Sequence, residues 1–125
     1  MSGFAFDSNI IIDTLRGFPQ ARAELERAAQ LGRVWVSRMV WIEVMSKGEG
    51  EGLLRAKALL SGFSIDELDE DIAGRAAALR RERPRLKSPD AIILAAALVH
   101  GRILITRNTK DFPAEMPGVR VPYTL

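Results

Sequence analysis

Short apolar runs alternate with longer amphipathic stretches along this chain. Runs with the length and composition of buried strands lie at residues 4–6, 34–36, 63–65 and 102–106, and a weaker fifth lies at 119–121. Apolar residues at helical spacing predict helices over residues 8–16, 20–30, 38–47, 53–60, 66–83 and 88–100. Because strands alternate with helices, the pattern predicts an α/β fold with a mostly parallel sheet of four to five strands, covered on both faces.

Local signals support these boundaries. Ser37 precedes the third helix as a cap, and Pro84 ends the long fifth helix. Acidic residues between Asp66 and Asp71 are expected in the first turn of that helix, where the helix dipole favours them. The Ser88-Pro89-Asp90 sequence is a strong start signal for the last helix.

Length and composition narrow the class of protein. With 125 residues, the chain is expected to form a single domain over 1–125. It contains no cysteine and one histidine, His100, which excludes thiol catalysis and cysteine-ligated metal and makes a histidine-rich zinc site improbable. We expect a cytoplasmic protein, since no signal peptide is visible and the apolar run 91–99 is shorter than the roughly 20 residues of a membrane span.

Four acidic residues lie beside apolar elements instead of on solvated faces: Asp7, Glu43, Asp90 and Asp111. Each also has a purely structural interpretation. Asp7 is a good helix cap, Glu43 is one turn before Lys47, Asp90 suits the helix dipole, and Asp111 follows a turn. Taken singly, none of them identifies a site.

Together the four acids predict a metal site. Asp7 ends a predicted parallel strand, and the helices that carry Glu43 and Asp90 pack at the same sheet edge. Carboxylates that share one pocket repel each other and therefore need a cation. Oxygen ligands without histidine or cysteine select hard ions, Mg²⁺ or Mn²⁺, and one or two such ions activate water for attack on a phosphodiester.

The same residues resemble a known family. Residues 6–13 resemble the opening motif of PIN-domain ribonucleases, and residues 41–44, 89–97 and 104–112 are similar to their later motifs, in the same order. Length and motif spacing are most similar to VapC-type toxins of bacterial toxin–antitoxin pairs. The resemblance implies an α/β/α sandwich, Mg²⁺-dependent cleavage of RNA with inhibition of translation, a homodimer, and a small cognate antitoxin that forms a hetero-oligomer with the toxin.

The resemblance also implies roles for individual residues. Asp7, Glu43 and Asp90 correspond to the acidic core, and Asp7 and Asp90 to direct metal ligands. Asp111 corresponds to a fourth acid, although Asn108 is the alternative at this position. Ser8, Asn9 and Thr106 match the polar positions that support the site. Asp13 is offset from the acids, and we expect it to be structural and to pair with Arg16.

Basic residues surround the acidic motifs. A run that includes Arg83, Arg85 and Lys87 leads into Asp90, and Arg107 and Lys110 flank the last motif. The net charge is only +2, so attraction to RNA depends on such local clusters. The residues predicted to contact RNA are Arg85, Lys87, Arg107 and Lys110. The alternative for each is an exposed charge at a helix end.

Three functions remain open from the sequence. The leading hypothesis is a VapC-type endoribonuclease. The second is a PIN nuclease that acts in RNA processing or on DNA, outside a toxin pair. The third is a non-catalytic acidic module that binds metal or a basic partner.

Overall fold

A computed structural model describes residues 3–125 and places five parallel strands in one sheet, with six helices around it. The strands are β1 (Phe4–Phe6), β2 (Val34–Ser37), β3 (Ser64–Asp66), β4 (Ile103–Ile105) and β5 (Val119–Arg120). The helices are α1 (Ser8–Leu15), α2 (Pro19–Leu31), α3 (Arg38–Met45), α4 (Glu51–Leu60), α5 (Glu70–Glu82) and α6 (Ser88–His100). The sheet order is β3-β2-β1-β4-β5, which confirms the predicted α/β fold with a five-stranded sheet.

Strand β1 lies at the centre of the sheet. Phe4 pairs in register with Val34 of β2 on one side and with Ile103 of β4 on the other. All three residues of β1 are buried and apolar, as a strand covered on both faces requires. The residue that follows a central strand therefore emerges in the middle of the carboxyl edge, where open α/β sheets bind ligands.

Two adjoining groups of helices cover the sheet. Helix α1 packs on α2 and α3, whereas α5 packs on α6, and α3 also contacts α6. Buried side chains from the sheet and the helices form one core, in which the rings of Phe6 and Phe63 meet edge to face with centroids 5.6 Å apart. In residues 3–125, no helix is both long and apolar enough to cross a membrane.

The start of helix α5 differs from the prediction. Asp66 belongs to strand β3, and α5 begins at Glu70 with Asp69 as its cap, since the Asp69 carboxylate accepts a hydrogen bond from the Ile72 amide at 2.9 Å. Asp66 is instead buried and accepts two hydrogen bonds from Arg102, at 2.7 and 3.0 Å. Placing Asp66 in the helix was wrong because its carboxylate has a cationic partner from a distant part of the chain.

Candidate active site

Two polar residues lie side by side at the carboxyl edge of the sheet. Asp7 directly follows β1 and Thr106 directly follows β4, the neighbouring strand. The Asp7 amide donates a hydrogen bond of 2.9 Å to the Ile105 carbonyl, which continues the pairing of the two strands beyond their ends. The main chain thus fixes the separation between Asp7 and Thr106.

The carboxylate of Asp7 is buried and held at both oxygens. Its Oδ1 accepts a hydrogen bond from the Ser8 amide at 2.7 Å, and its Oδ2 accepts one from the Thr106 hydroxyl at 2.7 Å. Asp7 is also the N-cap of α1. The structural and functional interpretations of Asp7 are therefore compatible, because one oxygen caps the helix while the other faces the neighbouring strand.

Asn9 and Thr106 extend this arrangement to the loop after β4. The Asn9 amide group lies 3.4 Å from both Asp7 Oδ2 and the Thr106 hydroxyl, and its Oδ1 accepts a hydrogen bond from the Arg107 amide at 3.3 Å. The Thr106 hydroxyl in turn accepts a hydrogen bond from the Asn108 amide at 2.9 Å. These bonds orient Thr106 as a donor to Asp7.

Glu43 approaches the site from α3. Ser37, at the end of β2, caps that helix by accepting a hydrogen bond from the Val40 amide at 3.2 Å. The Glu43 Oε1 atom is buried and has no hydrogen-bond partner among residues 3–125. A buried carboxylate oxygen without a donor is unfavourable in a folded protein, so it indicates a position for a cation or another ligand.

The pKa of the Asp7 carboxyl is raised above its usual value, chiefly by burial. Hydrogen bonds from Thr106 and Ser8 oppose this rise, and the negative charge of Glu43 adds to it. The balance shows that Asp7 and Glu43 are close enough to interact electrostatically.

Asp90 lies in the first turn of α6, at the same edge. Its pKa is raised by burial first, and then by the negative charges of Asp111 and Asp7. The negative charges of Asp111 and Asp7 therefore act on Asp90, and that of Glu43 acts on Asp7. Repulsion among these acids favours a bound cation.

Asp111 and Asn108 form one local unit in the loop after β4. The Asn108 side-chain amide donates to Asp111 Oδ2 at 3.0 Å, and the Asp111 main-chain amide donates to Asn108 Oδ1 at 3.2 Å. Asn108 thereby holds Asp111 towards Asp90 by using both polar atoms of its own side chain.

The donor set fits a hard divalent cation. The groups at the edge are carboxylates, an amide and a hydroxyl, and Glu43 contributes an unpartnered oxygen. Within the described chain, however, no three acidic side chains are already arranged closely enough to hold a metal ion.

The predicted basic residues occupy different environments. Lys87 is the exposed N-cap residue of α6, and Arg85 and Lys110 are exposed near Asp111. Arg107 instead forms the ion pair with Asp13, whereas Arg16, the expected partner, contributes only the effect of its charge. Asp13 is fully buried and lies closer to the loop after β4 than helix periodicity indicated.

Comparison with known proteins agrees with this geometry. A family model described as PIN domain matches residues 4–114. A chain of a toxin–antitoxin complex from Klebsiella pneumoniae shares 44% identity and a TM-score of 0.88, covering 98% of this chain and 100% of its own. No curated protein matches this chain.

Two more distant structures share the fold. VapBC2 from Rickettsia felis, bound to a DNA fragment from its promoter, has 20% identity, a TM-score of 0.79 and coverage of 94% of this chain and 95% of its own. FitAcB from Neisseria gonorrhoeae has 24% identity, a TM-score of 0.78 and coverage of 98% and 99%. The resemblance drawn from the four sequence motifs is confirmed, and the chain belongs to the PIN-domain family.

Proposed function

We propose that this protein is a Mg²⁺-dependent endoribonuclease and the toxin of a VapBC-type toxin–antitoxin pair, which inhibits translation by cleaving RNA. The observation that carries the proposal is the buried Asp7 carboxylate at the carboxyl edge of the sheet, held by the Ser8 amide and the Thr106 hydroxyl, together with the buried Glu43 Oε1 that lacks a hydrogen-bond partner among residues 3–125. The 44% identity to a chain of a toxin–antitoxin complex supports the pairing with an antitoxin.

In this proposal Asp7 and Asp90 are direct metal ligands, and Glu43 and Asp111 complete the acidic set. Mg²⁺ is the expected ion and Mn²⁺ a substitute, because the donors are oxygens. When bound, such an ion lowers the pKa of water and stabilises charge on the phosphate oxygens. Asp111, and not Asn108, is proposed as the fourth acid, since Asn108 uses its side chain to hold Asp111.

The supporting residues keep the acids oriented and ionised. Thr106 donates to Asp7 Oδ2, and the Ser8 amide donates to Oδ1, and both bonds lower the Asp7 pKa against the effect of burial. Asn9 bridges Asp7 to the loop after β4. Without a cation, burial and then the negative charges of Asp111 and Asp7 raise the pKa of the Asp90 carboxyl, so it retains a proton to higher pH than a free aspartate.

The central experiment measures cleavage of structured RNA by purified protein with Mg²⁺. Wild-type protein should cut the RNA, whereas Asp7→Asn and Asp90→Asn should lose this activity. Asp71→Asn is the matched control, because it removes one exposed carboxylate on α5. Full activity in both site variants would refute the assignment. Cleavage of DNA in preference to RNA would instead favour the second hypothesis.

Two further observations distinguish the remaining functions. A toxin should arrest translation when expressed and should be encoded beside a short gene for an antitoxin, whereas a processing nuclease should lack both properties. A non-catalytic module should bind Mg²⁺ in calorimetry without turnover of any nucleic acid. We also propose a cytoplasmic homodimer that assembles with the antitoxin into a hetero-oligomer, which sedimentation of the free and bound protein tests.

A further inference from the structure

A basic pocket adjoins the acidic residues and has Asp111 in its lining. It has a volume of about 460 Å³ and is lined by Arg83, Pro84, Arg85, Leu86, Lys110 and Asp111. The pocket lies between the segment that links α5 to α6 and the loop after β4. Asp111 belongs to both the pocket and the acidic set, so the two are contiguous.

Arg83 is the feature that points to a ligand. Its Nη2 donates a hydrogen bond of 2.6 Å to the Asp111 carbonyl, which connects the end of α5 to the loop. Its Nη1 is buried and has no hydrogen-bond partner among residues 3–125. A buried guanidinium nitrogen without an acceptor is costly. Because Arg83 also lines the pocket, an anion there is the kind of acceptor that this side chain lacks.

The charges of the pocket are not neutralised locally. Arg83, Arg85 and Lys110 contribute three positive charges, whereas Asp111 contributes one negative charge. Two other nearby arginines are already engaged: Arg107 binds Asp13, and Arg80 donates to the Leu86 carbonyl at 2.9 Å. The pocket therefore brings part of the basic run before α6 together with Lys110 at a surface that an anion can reach.

We propose that this pocket binds a backbone phosphate of the RNA, adjacent to the phosphate that is cleaved. The proposal rests on the proposed function. Asp111 lines the pocket, so a strand whose reacting phosphate lies among the acids can place a neighbouring phosphate there. The acids repel that strand unless positive charge offsets them. Arg83 belongs to the basic run noted in the sequence but was not among the predicted RNA contacts, and Lys87 and Arg107, which were, lie outside the lining.

The first test compares two double variants that remove the same charge. Arg85→Gln/Lys110→Gln acts on the pocket, and Arg22→Gln/Lys57→Gln acts on exposed residues of α2 and α4. The affinity for a fluorescent single-stranded oligoribonucleotide is measured by anisotropy in EDTA, at several salt concentrations. The pocket variant should bind about tenfold more weakly. The slope of log affinity against log salt concentration should be smaller in magnitude by roughly 0.7 to 1.4. The control should change affinity by less than about twofold.

A second test locates the phosphate. Oligoribonucleotides that each carry one uncharged methylphosphonate are compared, with the substitution moved along the strand. Wild-type protein should bind one of these oligoribonucleotides more weakly than the others, which identifies the position of the bound phosphate. The Arg85→Gln/Lys110→Gln variant should bind that oligoribonucleotide as well as it binds the unmodified strand. Equal losses at every position, or equal affinities of the two double variants, would overturn the proposal and leave an acidic protein segment as the alternative occupant.

Because both tests use EDTA, they do not require cleavage. A protein that loses RNA affinity in the pocket variant but never cleaves RNA with Mg²⁺ would retain the phosphate site and refute the proposed function. A protein that cleaves RNA but shows no difference between the double variants would refute the phosphate site alone.

Discussion

The Asp13 carboxylate accepts two hydrogen bonds from the Arg107 guanidinium, at 2.6 and 3.0 Å, across a separation of 94 residues. The Tyr123 hydroxyl donates a third, at 2.7 Å, to the same carboxylate. Asp13 is fully buried on α1, Arg107 directly follows Thr106, and Tyr123 lies in the C-terminal segment. The cluster therefore connects α1 both to the loop after β4, which carries Asp111, and to the segment around Tyr123.

Loss of Asp13 should destabilise the protein at neutral pH. Asp13→Asn leaves the Arg107 guanidinium without its buried anion, and removal of one partner of such a pair costs about 3 kcal/mol. Urea unfolding of both proteins at pH 7 measures this difference. Glu115→Gln, which removes an exposed carboxylate, should have little effect. An Asp13→Asn variant as stable as wild type would show that the cluster does not stabilise the fold.

The same pair should give the stability a defined pH dependence. Burial alone would raise the Asp13 pKa, but the hydrogen bonds from Arg107 and Tyr123 outweigh it, so the folded pKa lies below the ordinary value of 3.8. A lowered carboxyl pKa stabilises the fold above that ordinary value, and the contribution disappears as the pH falls through the folded pKa. The stability difference between wild type and Asp13→Asn should therefore be constant from pH 5 to 7 and shrink below about pH 4.

Thr106→Val should reduce activity without changing the shape of the side chain. The substitution removes the donor to Asp7 Oδ2 and the acceptor of the Asn108 amide. Loss of a bond that orients a metal-binding carboxylate typically costs 10- to 100-fold in activity or metal affinity. The Thr106 hydrogen bond lowers the Asp7 pKa, so its loss should raise that pKa. The acid limb of the plot of cleavage rate against pH should therefore move to higher pH. Thr109→Val, on the exposed part of the same loop, should leave both the rate and the profile unchanged.

Asp90→Asn should stabilise the metal-free protein. Asp90 is subject to repulsion from Asp111 and Asp7, and the amide removes it. In EDTA we expect the Tm of the variant to rise by a few degrees at most, because the lost interaction of the carboxylate with the helix dipole offsets part of the gain. Mg²⁺ should raise the Tm of wild type more than that of the variant, because it binds the complete acidic set more tightly. A variant that melts below wild type in EDTA would show that Asp90 serves the fold and not the site.

The four acids could be recognised in the sequence because each lies next to a helix or strand that the local pattern predicts. Asp7 follows a short apolar strand, and Asp90 lies in a helix that opens with Ser-Pro-Asp. In such elements the local pattern fixes the position of the side chain along the sheet edge. Sequence alone therefore proposed the four acids as a set, and their role in one site stays a prediction, including that of Asp111 in the less regular loop.

The ion pairs of Asp13 and Asp66 could not be predicted from the sequence. Asp13 and Asp66 both looked like charges within or beside their own helices, yet each binds an arginine far away in the chain. Local spacing indicates neighbours three or four residues apart, whereas these contacts depend on the order of the strands. The unpartnered nitrogen of Arg83 likewise follows from the packing of α5 against the loop after β4, for which the sequence carried no signal.

An antitoxin segment is expected to bind across the first and third helices. A groove of about 200 Å³ is lined there by apolar Ile12, Leu15 and Val44, with Arg16 and Lys47 among its charged residues. An apolar segment flanked by acidic residues would match this surface, and a basic side chain from it would reach the acids at the sheet edge.

Substitution in this groove should separate inhibition from catalysis. Leu15→Glu places a charge where the segment packs, so it should weaken the antitoxin by at least tenfold while RNA cleavage by the free toxin stays near the wild-type rate. Titration of antitoxin against cleavage measures both quantities at once. Leu54→Glu, at an exposed apolar residue of α4 outside the groove lining, is the matched control and should be inhibited normally. Normal inhibition of Leu15→Glu would place the antitoxin on another surface.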